Sequence, residues 1–243
     1  MKQCSILFYN TAHCRGYNGS LLGYVSGWAN YYSSPKRVDS TVSTEICEMI
    51  AEEDPTVCCF AELKEGSAIN SMLHPFYPTC DVTGKYGKSY MGYFPWSKGK
   101  GNGFYAKDFL AHKKHWMPYG TKRLVHEVQL TGKTSLFFTH FALGKAARLK
   151  QFAYLAKIMD KVPSAILTGD FNIASLDELD VLTKGSRLRL VSDPKQSTFP
   201  ACLPQRALDL FLCTPDIDVQ ECRVITSMQR SDHLPVLLKC QVS

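Results

Sequence analysis

Short apolar runs that end abruptly in a polar, chemically active residue recur along this sequence. The clearest run covers residues 164–168 and leads directly into Gly-Asp-Phe-Asn at residues 169–172. Four other runs end in the same way, at Asn10, Glu62, His140 and Asp209. Such a run predicts a buried β-strand, and a strand fixes the origin of its loop while the loop stays open to substrate. If these strands share a sheet edge, we expect their ends to converge on one pocket.

Hydrophobic periodicity separates helices from strands. It predicts helices over residues 36–53, 145–161 and 176–184, with Asp54-Pro55 ending the first. It predicts strands over residues 4–9, 56–61, 89–94, 102–106, 122–130, 134–140, 164–168, 207–213, 219–226 and 235–241, and a hairpin turn at 131–133. No repeat or linker divides the 243 residues, so we expect a single domain over residues 1–243.

Two polar motifs have clear chemical potential. Asp170 is suited to hold a metal, or to orient and deprotonate a water, and Asn172 is suited to donate hydrogen bonds to phosphate oxygens. Taken alone, however, Gly-Asp-Phe-Asn fits a β-turn better. The Ser-Asp-His motif at residues 231–233 places a carboxylate beside an imidazole, a pair that can bind a cation and a phosphate together. A polar turn before the last strand is an equally good reading of that motif.

Three single residues extend this set. Asp209 stands among leucines and phenylalanine, and a buried carboxylate is costly unless it is paired, so we expect His233 to be its partner. Glu62 follows a buried strand directly and offers the hard oxygens that Mg²⁺ prefers, although a lone Glu there is usually solvated. His140 ends an apolar strand, where a lone histidine more often has a structural role.

Charge and aromatic content bear on the substrate. The net charge of +6 suits an anionic partner, but it also fits an ordinary solvated surface. Aromatics in the loop at 14–35 either pack on the protein itself, stack on bases or enter a lipid surface, in that order of expectation. Lysines between residues 85 and 107 suit a phosphate backbone, and a solvated face at least as well. The residues concerned are Tyr17, Tyr24, Trp28, Tyr31 and Tyr32, and Lys85, Lys88, Lys98, Lys100 and Lys107.

The ten cysteines do not predict a disulfide framework. The chain is long enough to bury a core without such staples, several cysteines stand in apolar runs, and there is no C-x-x-C pair to indicate zinc. We expect free thiols in a reducing compartment. The N-terminus predicts a strand rather than a signal peptide, and no apolar stretch is long enough to cross a bilayer. We therefore expect an intracellular, cytoplasmic monomer.

Taken together and in order, these residues resemble the endonuclease/exonuclease/phosphatase superfamily of metal-dependent phosphoesterases. The resemblance runs from the first predicted strand to the last, and Gly-Asp-Phe-Asn with Ser-Asp-His at this spacing is specific. His13-Cys14-Arg15-Gly16 and Thr198-Phe199-Pro200 are also similar to small microbial members. The resemblance implies an α/β fold, a four-layered α/β sandwich of two packed, mainly antiparallel β-sheets flanked by helices. The residues that carry it are Asn10, Glu62, His140, Asp170, Asn172, Asp209, Ser231, Asp232 and His233.

The resemblance also implies roles for these residues. Mg²⁺, or alternatively Mn²⁺, would be held by Asn10, Glu62 and Asp232. The catalytic residues would be His140, Asp170, Asn172, Asp209 and His233. Asp170 would orient or deprotonate the attacking water, His140 and Asn172 would hold the phosphate, and His233, oriented by Asp209, would stabilise the developing charge.

Other residues are left open by the sequence. Many relatives carry Gln before the metal-binding Glu, and here it is Ala61, which weakens assignment to a subclass. For Asn102 we favour a packing or turn role over a role in the site. Arg148 and Gln151 share one face of the helix after His140, and they either point back to the site or face solvent.

The sequence is compatible with three functions. The first is a nucleic-acid phosphodiesterase, acting as a nuclease or an end-processing enzyme. The second is a phosphatase or phospholipase-C-like enzyme acting on a small phosphate or a lipid headgroup. The third is a non-catalytic binding protein on the same fold, against which the complete residue set argues.

Overall fold

Two six-stranded sheets form the centre of the molecule. The computed structural model describes residues 1–20, 23, 36–64, 66–83 and 100–243. The strand predicted over residues 89–94 and most of the aromatic loop at 14–35 lie outside the described residues.

The first sheet has the strand order β11-β12-β1-β2-β4-β3 and the second has the order β5-β6-β7-β8-β10-β9. The strands are β1 (Lys2–Asn10), β2 (Val57–Lys64), β3 (Thr79–Thr83), β4 (Lys100–Ala106), β5 (His112–Trp116), β6 (Leu124–Gln129), β7 (Thr134–His140), β8 (Ser164–Asp170), β9 (Arg189–Leu190), β10 (Asp209–Cys213), β11 (Asp218–Val224) and β12 (Val236–Val242).

The helices explain the two parallel pairs of strands. They are α1 (Lys36–Glu53), α2 (Ala68–Leu73), α3 (Lys145–Met159) and α4 (Asp180–Thr183), with 3₁₀ turns at Ala12–Cys14 and Leu176–Leu179. β1 pairs in parallel with β2, and β7 with β8, while the other described pairs are antiparallel. A parallel pair needs a crossover connection, and α1 and α3 lie in the chain segments that make the two crossovers.

Alternation along the strands builds four layers. On β1, Ile6 and Phe8 face the second sheet and join the core between the sheets, together with Phe138 of β7 and Phe211 of β10. The intervening residues of β1, such as Leu7, pack instead in a core that contains α1. A third core lies between the second sheet and α3. The expected four-layered sandwich of two mainly antiparallel sheets with outer helices is therefore confirmed.

The helices and strands that the sequence did not predict lie where the hydrophobic pattern is weak. Helix α1 has the predicted bounds, α3 ends two residues early, and the region 176–184 is a 3₁₀ turn followed by one short helix. Helix α2 and strands β3, β5 and β9 were not predicted. Strand β5 reads His-Lys-Lys-His-Trp and is largely exposed, because it is an edge strand with one neighbour. A largely exposed edge strand such as β5 has no regular apolar alternation, so hydrophobic periodicity does not reveal it.

All ten cysteines are free thiols in the structure, as expected. Burial raises the pKa of Cys14 and of Cys58 to about 12, which keeps these thiols protonated. Among the described residues, no helix is long and apolar enough to cross a membrane.

Candidate active site

The site lies at one end of the layer between the two sheets. Asn10 follows inward-facing Phe8 by two positions on β1, and His140 follows inward-facing Phe138 by two positions on β7. Because side chains alternate along a strand, both polar side chains point into the same layer as the core residues before them. The register then places Asp170 beside His140 on one side and beside Asp209 on the other.

Asp170 is the centre of this cluster. Its Oδ2 accepts a hydrogen bond from Asn10 Nδ2 at 3.0 Å and lies 3.1 Å from His140 Nε2 and 3.7 Å from His233 Nε2. Its Oδ1 accepts the backbone N–H of Asn172 at 3.0 Å. Burial by itself would raise the pKa of Asp170, but the charges of His140 and His233 outweigh it and hold that pKa below its ordinary value. The carboxylate is therefore ionised and held from several sides.

Gly169 is required for this arrangement. A Cβ at this position would lie 2.1 Å from the backbone oxygen of Thr139 on β7, which no side chain can tolerate. The glycine lets β7 and β8 approach closely at the point where they deliver His140 and Asp170. Asn172, two residues after Asp170, has a positive φ of 51°, and its Nδ2 donates to Phe141 O at 3.0 Å.

His233 and Asp209 form a buried pair, the partnership that the sequence predicted. His233 Nδ1 lies 2.7 Å from Asp209 Oδ2, which leaves Nε2 directed toward Asp170. The backbone N–H of Asp209 donates to Thr198 Oγ1 at 3.2 Å, and the Phe199 ring lies 5.0 Å from the imidazole. Burial would lower the pKa of His233, but the charges of Asp209 and Asp170 dominate and raise it to about 10. The imidazole is therefore cationic at neutral pH.

Glu62 faces three nitrogen-bearing side chains. Its carboxylate oxygens lie 3.4 Å from His13 Nε2, 3.7 Å from His140 Nδ1 and 3.8 Å from Lys122 Nζ. Burial would raise the pKa of Glu62, but His13, Lys122 and His140 together lower it to about 2. Glu62 has a positive φ of 52° and lies inside β2, between Phe60 and Leu63, where the pairing of β2 with β4 shifts register.

Two residues of this cluster, Lys122 and His13, were not predicted as site residues, although His13 belongs to a stretch that carries part of the resemblance. The Lys122 ammonium contacts His140 Nε2 as well as Glu62. β6 and β7 form an antiparallel pair, with Val125 opposite Thr139, so a residue just before β6 lies beside the end of β7. The sequence predicted that hairpin, and its register brings Lys122 near His140. His13 lies in the 3₁₀ turn after Asn10 with a positive φ of 61°, a conformation that the sequence does not announce.

Asp232 lies beside Tyr17. Its Oδ2 accepts a hydrogen bond from Tyr17 OH at 3.2 Å, and its Oδ1 lies 3.3 Å from Ser231 Oγ. Burial raises the pKa of Asp232, and the negative charge of Glu62 adds to that effect, against the charge of His233. The charge of Glu62 therefore reaches Asp232.

The structure joins seven of the eight residues proposed from the sequence through contacts with Asp170, His140 or His233. The eighth, Asp232, interacts electrostatically with His233 and Glu62. Three further residues had no role in the site assigned from the sequence, and the structure shows where each of them lies. Asn102 is buried on the inward face of β4, and its Oδ1 has no hydrogen-bond partner among the described residues. Arg148 and Gln151 do not face solvent. Both are buried, and Arg148 pairs with Glu178 and donates to Ala142 O and Leu143 O.

The donor set fits a hard divalent cation. Glu62 is ionised and Asn10 Oδ1 accepts only one described hydrogen bond, from Ala12 N at 3.2 Å. Carboxylate and amide oxygens of this kind suit Mg²⁺ or Mn²⁺ better than softer metals. Asp170, Asp209 and His233 also offer ligand atoms within 4.8 Å of one another, although the hydrogen bond of the Asp209–His233 pair already accounts for much of that closeness.

Solved structures share this fold over the whole chain. A protein of the endonuclease/exonuclease/phosphatase group from Bacteroides vulgatus is 16% identical, with a TM-score of 0.70 and full coverage of both chains. TDP2 of D. rerio, solved with a single-strand DNA product, is 14% identical, with a TM-score of 0.70 and full coverage of both chains. A mannosyl-6-phosphatase of Bacteroides thetaiotaomicron is 18% identical, with a TM-score of 0.66, over 98% of this chain and 100% of the other.

A search of curated protein sequences finds no significant match. The model of the Endonuclease/Exonuclease/phosphatase family matches residues 9–233, from the end of β1 to the histidine of the Ser-Asp-His motif. This match confirms the expected resemblance and the expectation of a hydrolase acting on phosphoesters, in a family that generally depends on a divalent metal. The chain belongs to the endonuclease/exonuclease/phosphatase family.

Proposed function

We propose that this chain is a divalent-metal-dependent phosphodiesterase that works as one domain over residues 1–243. The observation that carries the proposal is the buried carboxylate of Asp170, which is held ionised by Asn10, His140 and His233 within 3.7 Å. A carboxylate held in this way is suited to orient an attacking water or accept its proton. Hydrolysis of a phosphodiester also requires neutralisation of charge on the non-bridging oxygens, and cationic His233 beside Asp170 is suited to supply it.

The side chains divide into roles on either side of Asp170. His233, cationic and oriented by Asp209, donates from Nε2 to a phosphate oxygen and stabilises negative charge as it develops. His140 and Lys122 bind the phosphate from the other side, and Asn172 contributes to that binding from its loop. Glu62, with Asn10 and Asp232, would hold Mg²⁺ or Mn²⁺, which would supply Lewis-acid stabilisation of a phosphate oxygen.

Nucleic acid is the first substrate class that we propose. The net charge of +6 favours a polyanion, and one structural neighbour was solved with a single-strand DNA product. A phosphorylated small molecule or lipid headgroup is the second candidate, supported by the neighbour that is a mannosyl-6-phosphatase. The pocket chemistry is the same for both, because each presents a phosphate to the same cations.

The test is hydrolysis by purified protein in Mg²⁺ or Mn²⁺ of a panel of substrates. The panel contains single- and double-stranded DNA, RNA, a water-soluble aryl phosphodiester, and sugar and lipid phosphates. Asp170→Asn keeps the shape of the side chain and removes its charge, so we expect turnover to fall by roughly a thousandfold or more. Asp177→Asn is the matched control, because Asp177 is an exposed aspartate in the 3₁₀ turn Leu176–Leu179 that follows Asn172.

The two outcomes separate cleanly. Turnover that requires a divalent ion, survives Asp177→Asn and is lost in Asp170→Asn supports the proposal, and the preferred substrate then fixes the class. Equal turnover by wild type and Asp170→Asn would contradict the role given to Asp170. Absence of turnover on every substrate with either metal would point to the third function, a non-catalytic binding protein.

A further inference from the structure

Lys122 stands on a connecting segment rather than on a strand. Residues 117–123 join β5 to β6, and Lys122 reaches from this segment to Glu62 and His140. A lysine ammonium is carried on a flexible four-carbon stem, so its position depends on how firmly its backbone is held. This segment belongs to neither strand, so contacts other than the sheet ladder must fix its backbone.

Gln151 on α3 provides the anchor. Its side chain is fully buried, and its Nε2 donates to Tyr119 O at 2.8 Å and to Lys122 O at 2.6 Å. Its Oε1 accepts the backbone N–H of Ala142, in the loop after His140, at 2.9 Å. One carboxamide thus joins the segment that carries Lys122 to the loop that follows the strand of His140.

The packing around Gly120 shows how close this contact is. Gly120 has a positive φ of 73°, and a Cβ there would lie 3.1 Å from Gln151 Nε2 and 3.1 Å from Ala142 Cβ. The segment therefore lies directly on Gln151, in a backbone conformation that favours glycine. Its other described backbone contacts, between Met117 and Arg123, lie within the segment and do not tie it to the neighbouring loop.

Arg148 offers an internal comparison because it lies one turn earlier on the same face of α3. It is also buried and also bonds the loop after His140, at Ala142 O and Leu143 O. Its remaining described partner is Glu178. Arg148 therefore holds the same loop as Gln151 without contacting residues 119–122 through any described hydrogen bond.

We propose that Gln151 is a positioning residue that acts through Lys122: its carboxamide sets the distance of the Lys122 ammonium from His140 and Glu62. This inference rests on the proposed function in so far as Lys122 binds the phosphate. Loss of the two donors of Gln151 frees the Lys122 carbonyl, and displacement of the ammonium by about 1 Å is enough to lower turnover markedly. Replacement of Gln151 therefore weakens phosphate binding without altering Asp170.

The kinetic test is a double-mutant cycle on the water-soluble aryl phosphodiester. We expect Lys122→Ala to lower kcat/KM by roughly 100-fold and Gln151→Met by roughly tenfold. In the Lys122→Ala background, Gln151→Met should cost about twofold or less, because the residue through which it acts is gone. Arg148→Lys, which keeps a cation beside Glu178, should have the same effect in both backgrounds. An equal loss from Gln151→Met in both backgrounds would overturn the proposal.

A second measurement does not depend on turnover. The side-chain ammonium signals of ¹⁵N-labelled protein are recorded by NMR, and Lys122→Ala identifies the signal of Lys122. We expect that signal to shift or broaden in Gln151→Met, and also in Gly120→Ala, which disturbs the same contact without replacing Gln151. Arg148→Lys should leave it in place. An unchanged Lys122 signal in folded Gln151→Met and Gly120→Ala would refute the positioning role, even if no substrate of the enzyme had been found.

Discussion

His126 is a buried histidine outside the site, and its replacement should remove a measurable dependence of stability on pH. It lies on β6 in the layer between the sheets, with its ring stacked on Phe138 at 4.6 Å and edge-on to Phe104 at 5.8 Å. Burial lowers the pKa of His126 from 6.5 to about 4, partly offset by the charge of Asp81. The folded protein therefore holds this imidazole neutral at pH values where the unfolded chain would protonate it.

The sign and size of the effect follow from linkage between folding and protonation. Because the folded pKa lies below the unfolded one, stability is fully present above pH 6.5 and falls as the pH drops toward 4. The difference of about 2.5 pH units corresponds to at most about 3 kcal/mol, and roughly 2 kcal/mol of it should be lost at pH 5. Phenylalanine is larger than histidine, but it does not titrate, so any packing cost of the replacement is the same at every pH.

The assay is urea denaturation of wild type and His126→Phe at pH 7.5 and pH 5. Other titrating groups affect both proteins alike, so the difference between them isolates His126. We expect the free energy of unfolding of His126→Phe to gain roughly 2 kcal/mol on wild type between pH 7.5 and pH 5. His74→Gln, at an exposed position after α2, should show no such gain. If the difference between wild type and His126→Phe is the same at both pH values, His126 does not titrate as a buried neutral group and the reasoning fails.

Two further changes test the geometry of the site. Asp209→Asn should lower kcat by roughly a hundredfold or more, because it removes the negative charge that orients the His233 imidazole and keeps it protonated. Activity that needs cationic His233 should fall in the wild type only as the pH rises through about 10. In Asp209→Asn the pKa of His233 is lower, so a pH–rate profile should show the same decline at a lower pH. Gly169→Ala should destabilise the fold by roughly 3 kcal/mol or more, measured by denaturation, because its Cβ would meet Thr139 O at 2.1 Å. Gly132→Ala, where a Cβ meets nothing within 4 Å, should cost little, and equal effects of the two alanines would contradict the steric argument.

The residues that the sequence placed well share one physical property. Asn10, His140 and Asp170 each continue the inward face of a strongly apolar strand, so the pattern that predicts the strand also predicts which way the last side chain points. Asp209 was predictable for a related reason, since a carboxylate among leucines needs a partner. The four-layered fold itself came from the resemblance rather than from periodicity.

The residues that the sequence missed are held by contacts between segments far apart in the chain. The hairpin of β6 and β7 brings Lys122 near the end of β7, but the hydrogen bond from the carboxamide of Gln151, 29 residues later, to the Lys122 carbonyl could not be predicted. His13 owes its position to a left-handed backbone turn after β1. Neither a hydrogen bond across the fold nor a positive φ at a non-glycine residue leaves a periodic trace in the sequence.

The same distinction explains why the reaction is easier to propose than the substrate. The reaction depends on groups at the ends of central strands, where Asp170 sits between His140 and His233 and its position follows from the register of two strand pairs. Choice of substrate depends on loops around the pocket, where replacing one exposed side chain by another changes the stability of the fold little. Strand register is encoded by a buried pattern over many residues, whereas a loop contact such as that of Tyr17 with Asp232 is encoded by one or two. A substrate panel, rather than a closer reading of the core, is therefore the measurement that separates nucleic acid from a phosphorylated sugar or lipid.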